Sequence, residues 1–463
     1  MKKNLTTALI FITCLDVQAI TQNEFIKRLK DTHPFFTQLD LSVQIKKIDQ
    51  QATTANQDWI VSVNTNFKSE DVNNISSITT YNNLNTTLVD FSATKKIVSL
   101  GANITLKHSW KDKNKATTAS LNTNRNKFSI DYVHPLLKNA SGINDRLNID
   151  LSNIDIQISK LEATEQQEVF ILTQLKKFID LAYAQVRLMI NNQRLNLAIQ
   201  ELTLVKQKFT MLVVDKVDVL LQEDAYQSAK QQQLQAQQDL NILRHEMAIT
   251  LDISFSDVKA EFDLYQRYTT NDDNLKQYLL TNSRILKIAD LSQDLLKRQL
   301  KSDRNNSKVQ LDLKFGISSE GEDSRYIDSI FNQSPSWNIG LELSYPIGST
   351  QAKSTIEKTQ IKLARAKEQK QEKLLNIHAK AKALKQKIQY LVEILESNKM
   401  QIKIAKARTK EEKRRYNNTN SQTSFVISAQ NNEQSVNLNH IQVAKKYQQS
   451  VLDFKATIDQ LLP

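Results

Sequence analysis

Glycine and proline are scarce in this chain: 6 Gly and 5 Pro among 463 residues, about 2.4% together against roughly 12% in average usage. So few turn formers exclude a fold of many short elements, whether a sandwich of hairpins or an α/β enzyme with a dozen glycine-bearing loops. The only cysteine is Cys14. It lies in an N-terminal leader, so a chain cleaved after Ala19 has no disulfide, no thiol chemistry and no Cys-ligated metal site. No stretch after Ala19 approaches 18 consecutive apolar residues, which excludes a transmembrane helix. The six histidines (33, 108, 134, 245, 378 and 440) include no pair at metal-binding spacing. The six glycines form no phosphate loop, and no G-x-S-x-G elbow occurs. The chain reads as a non-enzyme without cofactor or metal.

The leader has the grammar of a signal peptide, assigned to residues 1–19. Lys2 and Lys3 are its charged start, Leu5 to Leu15 its apolar core and Val17-Gln18-Ala19 its cleavage site. An exported chain without a transmembrane helix is either soluble or a membrane β-barrel.

Two kinds of segment follow. The first alternates strictly. Val309, Leu311, Leu313, Phe315 and Ile317 are separated by Gln310, Asp312, Lys314, Gly316 and Ser318. Trp337, Ile339, Leu341, Leu343 and Tyr345 repeat the pattern, as do Trp59, Val61, Val63 and Phe67, and then Val98 to Leu106. Phe128, Ile130 and Tyr132 make a shorter version. Runs of about 9 to 11 residues with one apolar face suit a strand with lipid outside and water inside. They equally suit a half-buried soluble sheet. Aromatics at the run ends (Trp59, Phe67, Trp110, Phe128, Tyr132, Phe315, Trp337 and Tyr345) fall where interfacial girdles belong.

The second kind is helical and long. Residues 143–214 and 349–416 contain neither Gly nor Pro. Leu172, Leu175, Ile179, Ala182 and Val186 keep helical spacing. About 70 residues of helix span roughly 105 Å and need partner helices. The net charge of +12 sits in one of these helices: Lys353 to Arg415 holds 19 Lys/Arg against 7 Asp/Glu. Only Tyr390 and Tyr416 interleave with that run, so it offers no base-stacking surface and nucleic acid is not an expected partner.

The pattern occurs twice. Tyr132-Val133-His134-Pro135, then Gly142, lead from strand to long helix; Tyr345-Pro346-Ile347-Gly348 do so again. Each long helix turns back, near Val214-Asp215-Lys216 and near Asn417-Asn418. Asp218 and Ser424 are the expected N-caps of the return helices. The predicted organisation is a first repeat at 20–251, a connection at 252–270 and a second repeat at 271–463, each a set of strands plus a helical hairpin. Within the second, strands are expected at 308–318 and 336–346 and the tip near 420. The Asn/Thr/Ser-rich stretch 68–126 is read mainly as surface loop. Its alternating run at 98–106 is paired with a strand in Leu84 to Thr94.

This layout resembles the TolC-like family of outer-membrane channels over nearly the whole mature chain. The supporting residues are Tyr-Val-His-Pro-Leu-Leu at 132–137, the run Trp337 to Gly348, and Asn282-Ser283-Arg284-Ile285-Leu286, which is similar to the family's Asn-Arg-Pro-x-Leu step. The resemblance implies a mainly α chain with a transmembrane β-barrel portion. Three copies would each add four strands to a 12-stranded barrel and extend a helical tunnel into the periplasm of a Gram-negative bacterium. It implies a homotrimer in outer-membrane lipid, docking a periplasmic adaptor (membrane fusion protein) and an inner-membrane pump, in tripartite efflux or type I secretion.

Carried over, the entrance candidates are Asp215, Lys216, Asp218, Asn417, Asn418 and Ser424. Asn417 or Asn418 would take the left-handed turn the family gives to glycine, and Asp215 and Asp218 are the nearest match to its acidic constriction. Lys399, Lys403, Lys406, Arg408, Lys410, Lys413, Arg414 and Arg415 approach the tip. They suit anionic cargo, an acidic adaptor surface, or plain solvation. The loops at 68–126 and 319–335 would face outward. The competing reading is a soluble periplasmic or secreted coiled-coil adaptor with ordinary sheets and no channel.

Overall fold

The computed structural model describes residues 19–71, 83–116, 121–269, 274–418 and 422–462. The signal-peptide assignment falls, apart from Ala19, outside the described residues, as do residues 419–421 at the second tip. In chain order the elements are β1 (Ile20–Thr21), α1 (Gln22–Thr32), α2 (Pro34–Thr53), β2 (Trp59–Asp71), β3 (Asn83–Ile97), β4 (Ala102–Ala116), β5 (Leu121–Pro135), α3 (Leu147–Thr210) and α4 (Lys216–Leu251). Then come β6 (Ala260–Glu261), α5 (Leu275–Asn282), α6 (Arg284–Asn306), β7 (Gln310–Asp323), α7 (Tyr326–Phe331), β8 (Ser334–Ser344), α8 (Thr350–Asn417) and α9 (Thr423–Thr457). The expected long helices are present: α3 has 64 residues and α8 has 68. No described helix is long and apolar enough to cross a membrane.

The chain divides into two compact units. One comprises residues 41–162 and 287–371 and contains a single antiparallel sheet in the order β2-β3-β4-β5-β7-β8. Six strands stand where the resemblance implies four. The additional pair is the hairpin β3–β4, and it corrects two expectations. Most of the described part of 68–126 is strand, not surface loop. The run 98–106 is not one strand, because Val98 and Leu100 lie in the turn and β4 begins at Ala102. The N–H groups of Leu100 and Gly101 both donate to the Ile97 carbonyl, and Gly101 takes the left-handed conformation with φ +74°. Apolar parity runs through this turn into β4, so alternation alone hides the corner. Similarly, 319–335 is not all loop: β7 continues to Asp323 and the short α7 precedes β8.

The other unit comprises residues 1–40, 163–286 and 372–463. Its core contains Phe25, Leu29, Ile171, Phe178, Tyr447 and Phe454, all nearly inaccessible. Phe25 stacks on Phe178 at 5.0 Å between ring centroids, and Phe170 lies between His33, Phe35 and Phe36. Strands β1 and β6 pair in parallel, and Gln185 clamps their end by accepting from the Ala260 N–H at 2.8 Å. Tyr447 Oη accepts from the Tyr268 N–H at 2.8 Å. Gln448 donates to the carbonyls of Leu264 and Gln266. The extended segment near 264–268 therefore satisfies its backbone through α9 side chains.

Two helix pairs in this unit break at matching places. His33 is extended before Pro34, which opens α2 without an N–H to satisfy. Ser283 is extended before Arg284, which opens α6. No proline stands there, and the Arg284 N–H donates to Asp459 at 2.7 Å instead.

Candidate channel wall and tips

The sheet sorts its side chains by face. Paired residues across the ladders point the same way, and the face alternates along each strand. One row crosses all six strands as Val61, Ala93, Leu106, Ile130, Ile317 and Trp337. The adjacent row, one residue along, is Ser62, Ser92, Lys107, Ser129, Ser318 and Ser336. Around these rows the first face is mainly apolar and the second mainly polar, although Lys95 lies on the first and Ile60 and Leu88 on the second.

The apolar face is solvent-accessible in this chain. Val61 is 72% exposed, Trp337 72% and Leu341 67%. It carries the aromatics singled out at the strand ends, Tyr345 apart. Trp59, Tyr132 and Phe315 share one row. Phe128 lies two rows further along and Phe67 four. Trp337 lies on the same face by parity, and Tyr345 follows the end of β8. The Phe67 row continues as Thr87, Asp112, Asn124 and Asp323, so the apolar part of this face ends before it on the other strands. His108 sits in this face, stacked at 4.3 Å on Phe128, with Nε2 3.1 Å from Asn126 Oδ1. An open depression of about 540 Å³ lies between Phe91, Phe128 and Ile317. The polar face holds cross-strand ion pairs, Lys107–Asp90 at 3.2 Å and Arg125–Glu322 at 2.8 Å among them.

The strand-to-helix turns are tightly specified in one case and open in the other. Pro135 ends β5. Gly142 has φ +64°, and a Cβ there would lie 1.7 Å from the Val98 carbonyl oxygen. Asn139 and Ser141 are also left-handed. Asn139 holds the turn by donating Nδ2 to Asp145 at 2.8 Å and its N–H to Asn305 at 2.7 Å. Lys96, at the end of β3, pairs with the same Asp145 at 2.9 Å. At the other turn, Pro346 and Gly348 lie between β8 and α8. Gly348 has φ +97° and open space around it.

At the first helical tip the cap is Asp215, not Asp218. Helix α4 begins at Lys216, and Asp218 completes a capping box by accepting from the Asp215 N–H at 3.4 Å. At the second tip Gln422 occupies the cap position, and Ser424 lies inside α9. Asn417 ends α8, with Asn418 just beyond. Neither is left-handed; among the described tip residues Leu212 is, at φ +59°. Leu212 is 92% exposed, and Met211, Val213 and Val217 are exposed beside it. Of the basic residues near the second tip, Lys413 pairs with Glu201 at 2.8 Å, and Arg414 and Arg415 pair with Glu411 and Glu412. Lys399, Lys403, Lys406, Arg408 and Lys410 are exposed.

One charged cluster was not foreseen in the sequence. The carboxylates of Glu165, Glu168 and Asp459 converge. Arg284 lies among them, with Nε 2.5 Å from Glu165, Nη2 3.1 Å from Asp459 and a contact to Glu168. Burial pushes the Glu165 carboxyl above its usual range, the Arg284 guanidinium opposes this, and the nearby Asp459 charge adds to it. The Asn-Ser-Arg-Ile-Leu run marked Arg284, but its partners lie more than a hundred residues away in sequence.

The chain combines a sheet with a mainly apolar and a mainly polar face and very long helices. The chain has the fold of the TolC-like channels. It is similar to a structure of the transmembrane channel CusC (TM-score 0.70, 10% identity, 94% of this chain and 91% of that one). It is also similar to the MtrE outer membrane channel of Neisseria gonorrhoeae in its open state (0.69, 12%, 95% and 89%). A third match is the Campylobacter jejuni CmeC outer membrane channel (0.64, 11%, 100% and 93%). No protein-family model and no curated protein sequence matches the chain.

Proposed function

We propose that this protein is the subunit of a trimeric channel in the outer membrane of a Gram-negative bacterium, giving passive export through a periplasmic helical tunnel. The observation that carries the reading is the sheet: an apolar row and an adjacent polar row cross all six strands, and its edges β2 and β8 have no second partner among the described residues. In lipid, only a closed barrel satisfies the backbone of such a sheet. The chain itself supplies no chemistry in this reading. Energy comes from an inner-membrane pump reached through a periplasmic adaptor, in tripartite efflux or type I secretion. The exposed apolar residues Met211, Leu212, Val213 and Val217 favour the helical tip as the adaptor's docking point. The two-copy organisation of strands and helical hairpins belongs to the same reading, with Asp215, Lys216, Asp218, Asn417, Asn418 and Ser424 near the entrance.

Electron microscopy of protein purified in mild detergent, with single-channel recording in planar bilayers, tests this. Three-fold tubes longer than about 100 Å, from the helix rise, together with discrete conductance steps are expected. Monomers soluble without detergent would overturn the reading in favour of a periplasmic adaptor.

A further inference from the structure

The hairpin β3–β4 is built as wall, not as an appended loop. Strand β3 pairs with β2 over residues 59–71 and with β4 over its whole length. Strand β4 then pairs with β5 from Asn103 to Lys115. The hairpin keeps the facing of its neighbours. It contributes Ala93 and Leu106 to the apolar row, and Ser92 and Lys107 to the polar one. Phe91 is 47% exposed and Leu106 40%, both on the face where the flanking strands carry Val63 and Ile130. A water-immersed loop has no need of that continuity.

The hairpin also crosses the full height of the sheet. Its turn lies beside the strand-to-helix turn: a Cβ at Gly101 would lie 2.3 Å from the Asn139 carbonyl oxygen, and Lys96 is paired with Asp145.

The edges of the sheet state what must complete it. Among the described residues, strands β2 and β8 each have one partner. Six strands in antiparallel succession leave β2 and β8 running in opposite directions. The free edge of β8 in one copy therefore meets the free edge of β2 in the next with antiparallel polarity, and the pattern repeats without a mismatch. The partner is a second copy of this chain, since an open edge does not persist in hydrocarbon.

Resting on the trimeric channel reading above, we infer that the hairpin 83–116 stands in the barrel wall, so that three copies close an 18-stranded barrel. Barrel diameter grows roughly linearly with strand number at fixed tilt, so this exit is about 1.5 times as wide as a 12-stranded one, in the range where barrels enclose an aqueous channel. Its lumen is lined by the polar rows, Ser62 to Ser336 among them. A bulky hydrophilic cargo, such as a hydrated polypeptide, then meets no narrowing at the outer membrane, and size selection falls to the helical part.

Cryo-electron microscopy of the full protein in lipid nanodiscs counts the strands directly. Eighteen strands in a three-fold tube are expected. A three-fold tube with 12 strands and 83–116 outside the wall would overturn this inference and leave the channel reading standing, whereas a 12-stranded barrel from two copies would overturn both the strand number and the trimer. Absence of any barrel would overturn both. Cysteine labelling in outer-membrane vesicles gives a second readout, because Cys14 precedes the expected cleavage point. Leu106→Cys should resist a membrane-impermeant maleimide while Lys107→Cys reacts. Equal labelling of the two places the hairpin in water and sinks the inference.

Discussion

Asp459 accepts a hydrogen bond from the backbone N–H of Arg284 at 2.7 Å, so a residue 175 positions away caps the start of α6. The equivalent break at α2 needs no such acceptor, because Pro34 has no N–H. The cap brings Asp459 into a pocket shared with Glu165 and Glu168, and the Arg284 guanidinium offsets part of that buried negative charge.

Replacing Arg284 by Met should therefore cost about 3–5 kcal/mol, the usual loss when one partner of a buried ion pair is removed. The loss should depend on pH. Burial raises the folded-state pKa of Glu165 above its ordinary value. A raised carboxyl is a cost above its folded pKa, relieved as pH falls through that pKa toward the ordinary carboxylate range. Without Arg284 the pKa rises further. The melting-temperature deficit of the variant should be largest at neutral and alkaline pH and shrink on acidification. A deficit constant with pH would contradict the burial account.

Gly142 and Gly348 each lie between a strand and a long helix but should respond differently. Both have positive φ, yet a Cβ at Gly142 meets the Val98 carbonyl while one at Gly348 meets nothing within 4 Å. Gly348→Ala should cost about 1 kcal/mol from backbone strain alone. Gly142→Ala adds a steric clash and should cost at least twice that. Thermal melts in detergent compare them, and equal losses would mean that Val98 yields freely.

The two faces of β5 predict opposite tolerance to charge. Ile130→Arg places a cation on the apolar face and should cost about 2–4 kcal/mol if that residue meets the bilayer midplane. Ser129→Arg, on the polar face beside Lys107 and Ser318, should be nearly neutral. Folding into lipid vesicles under a urea gradient measures both. Equal sensitivity would argue for an ordinary soluble sheet.

The tip should be dispensable for stability and needed for docking. Leu212 and Val217 are 92% and 65% exposed, so serine at both should change stability by no more than about 0.5 kcal/mol per site. Co-purification with the cognate adaptor should fall sharply. Retained co-purification would move the docking point away from 211–217.

Much of the fold was legible because its signals are local. Alternation in Trp337 to Tyr345 and helical spacing in Leu172 to Val186 are carried by neighbouring residues, so each reveals an element and its apolar face without reference to the rest of the chain. Of the hairpin β3–β4, the pairing of 98–106 with a strand in 84–94 was legible, and only its full extent was obscured, for a physical reason. A strand with one face toward water is half polar, and Asn, Thr and Ser along 83–126 read as loop when pairing partners are unknown. At the tips, sequence placed the turns correctly but not the caps, since Asp215 and Asp218 are chemically alike and only backbone geometry separates cap from third position.

By itself, then, the amino-acid sequence determined the long helices and the amphipathic strands, because those follow from periodicity and from the scarcity of Gly and Pro. Only the tertiary structure decided that six strands share one sheet, that Val98 sits over Gly142, and that Arg284 gathers Glu165, Glu168 and Asp459. Those are long-range pairings. Strand order and ion pairing depend on which distant segments the chain brings together, and no local pattern encodes that choice.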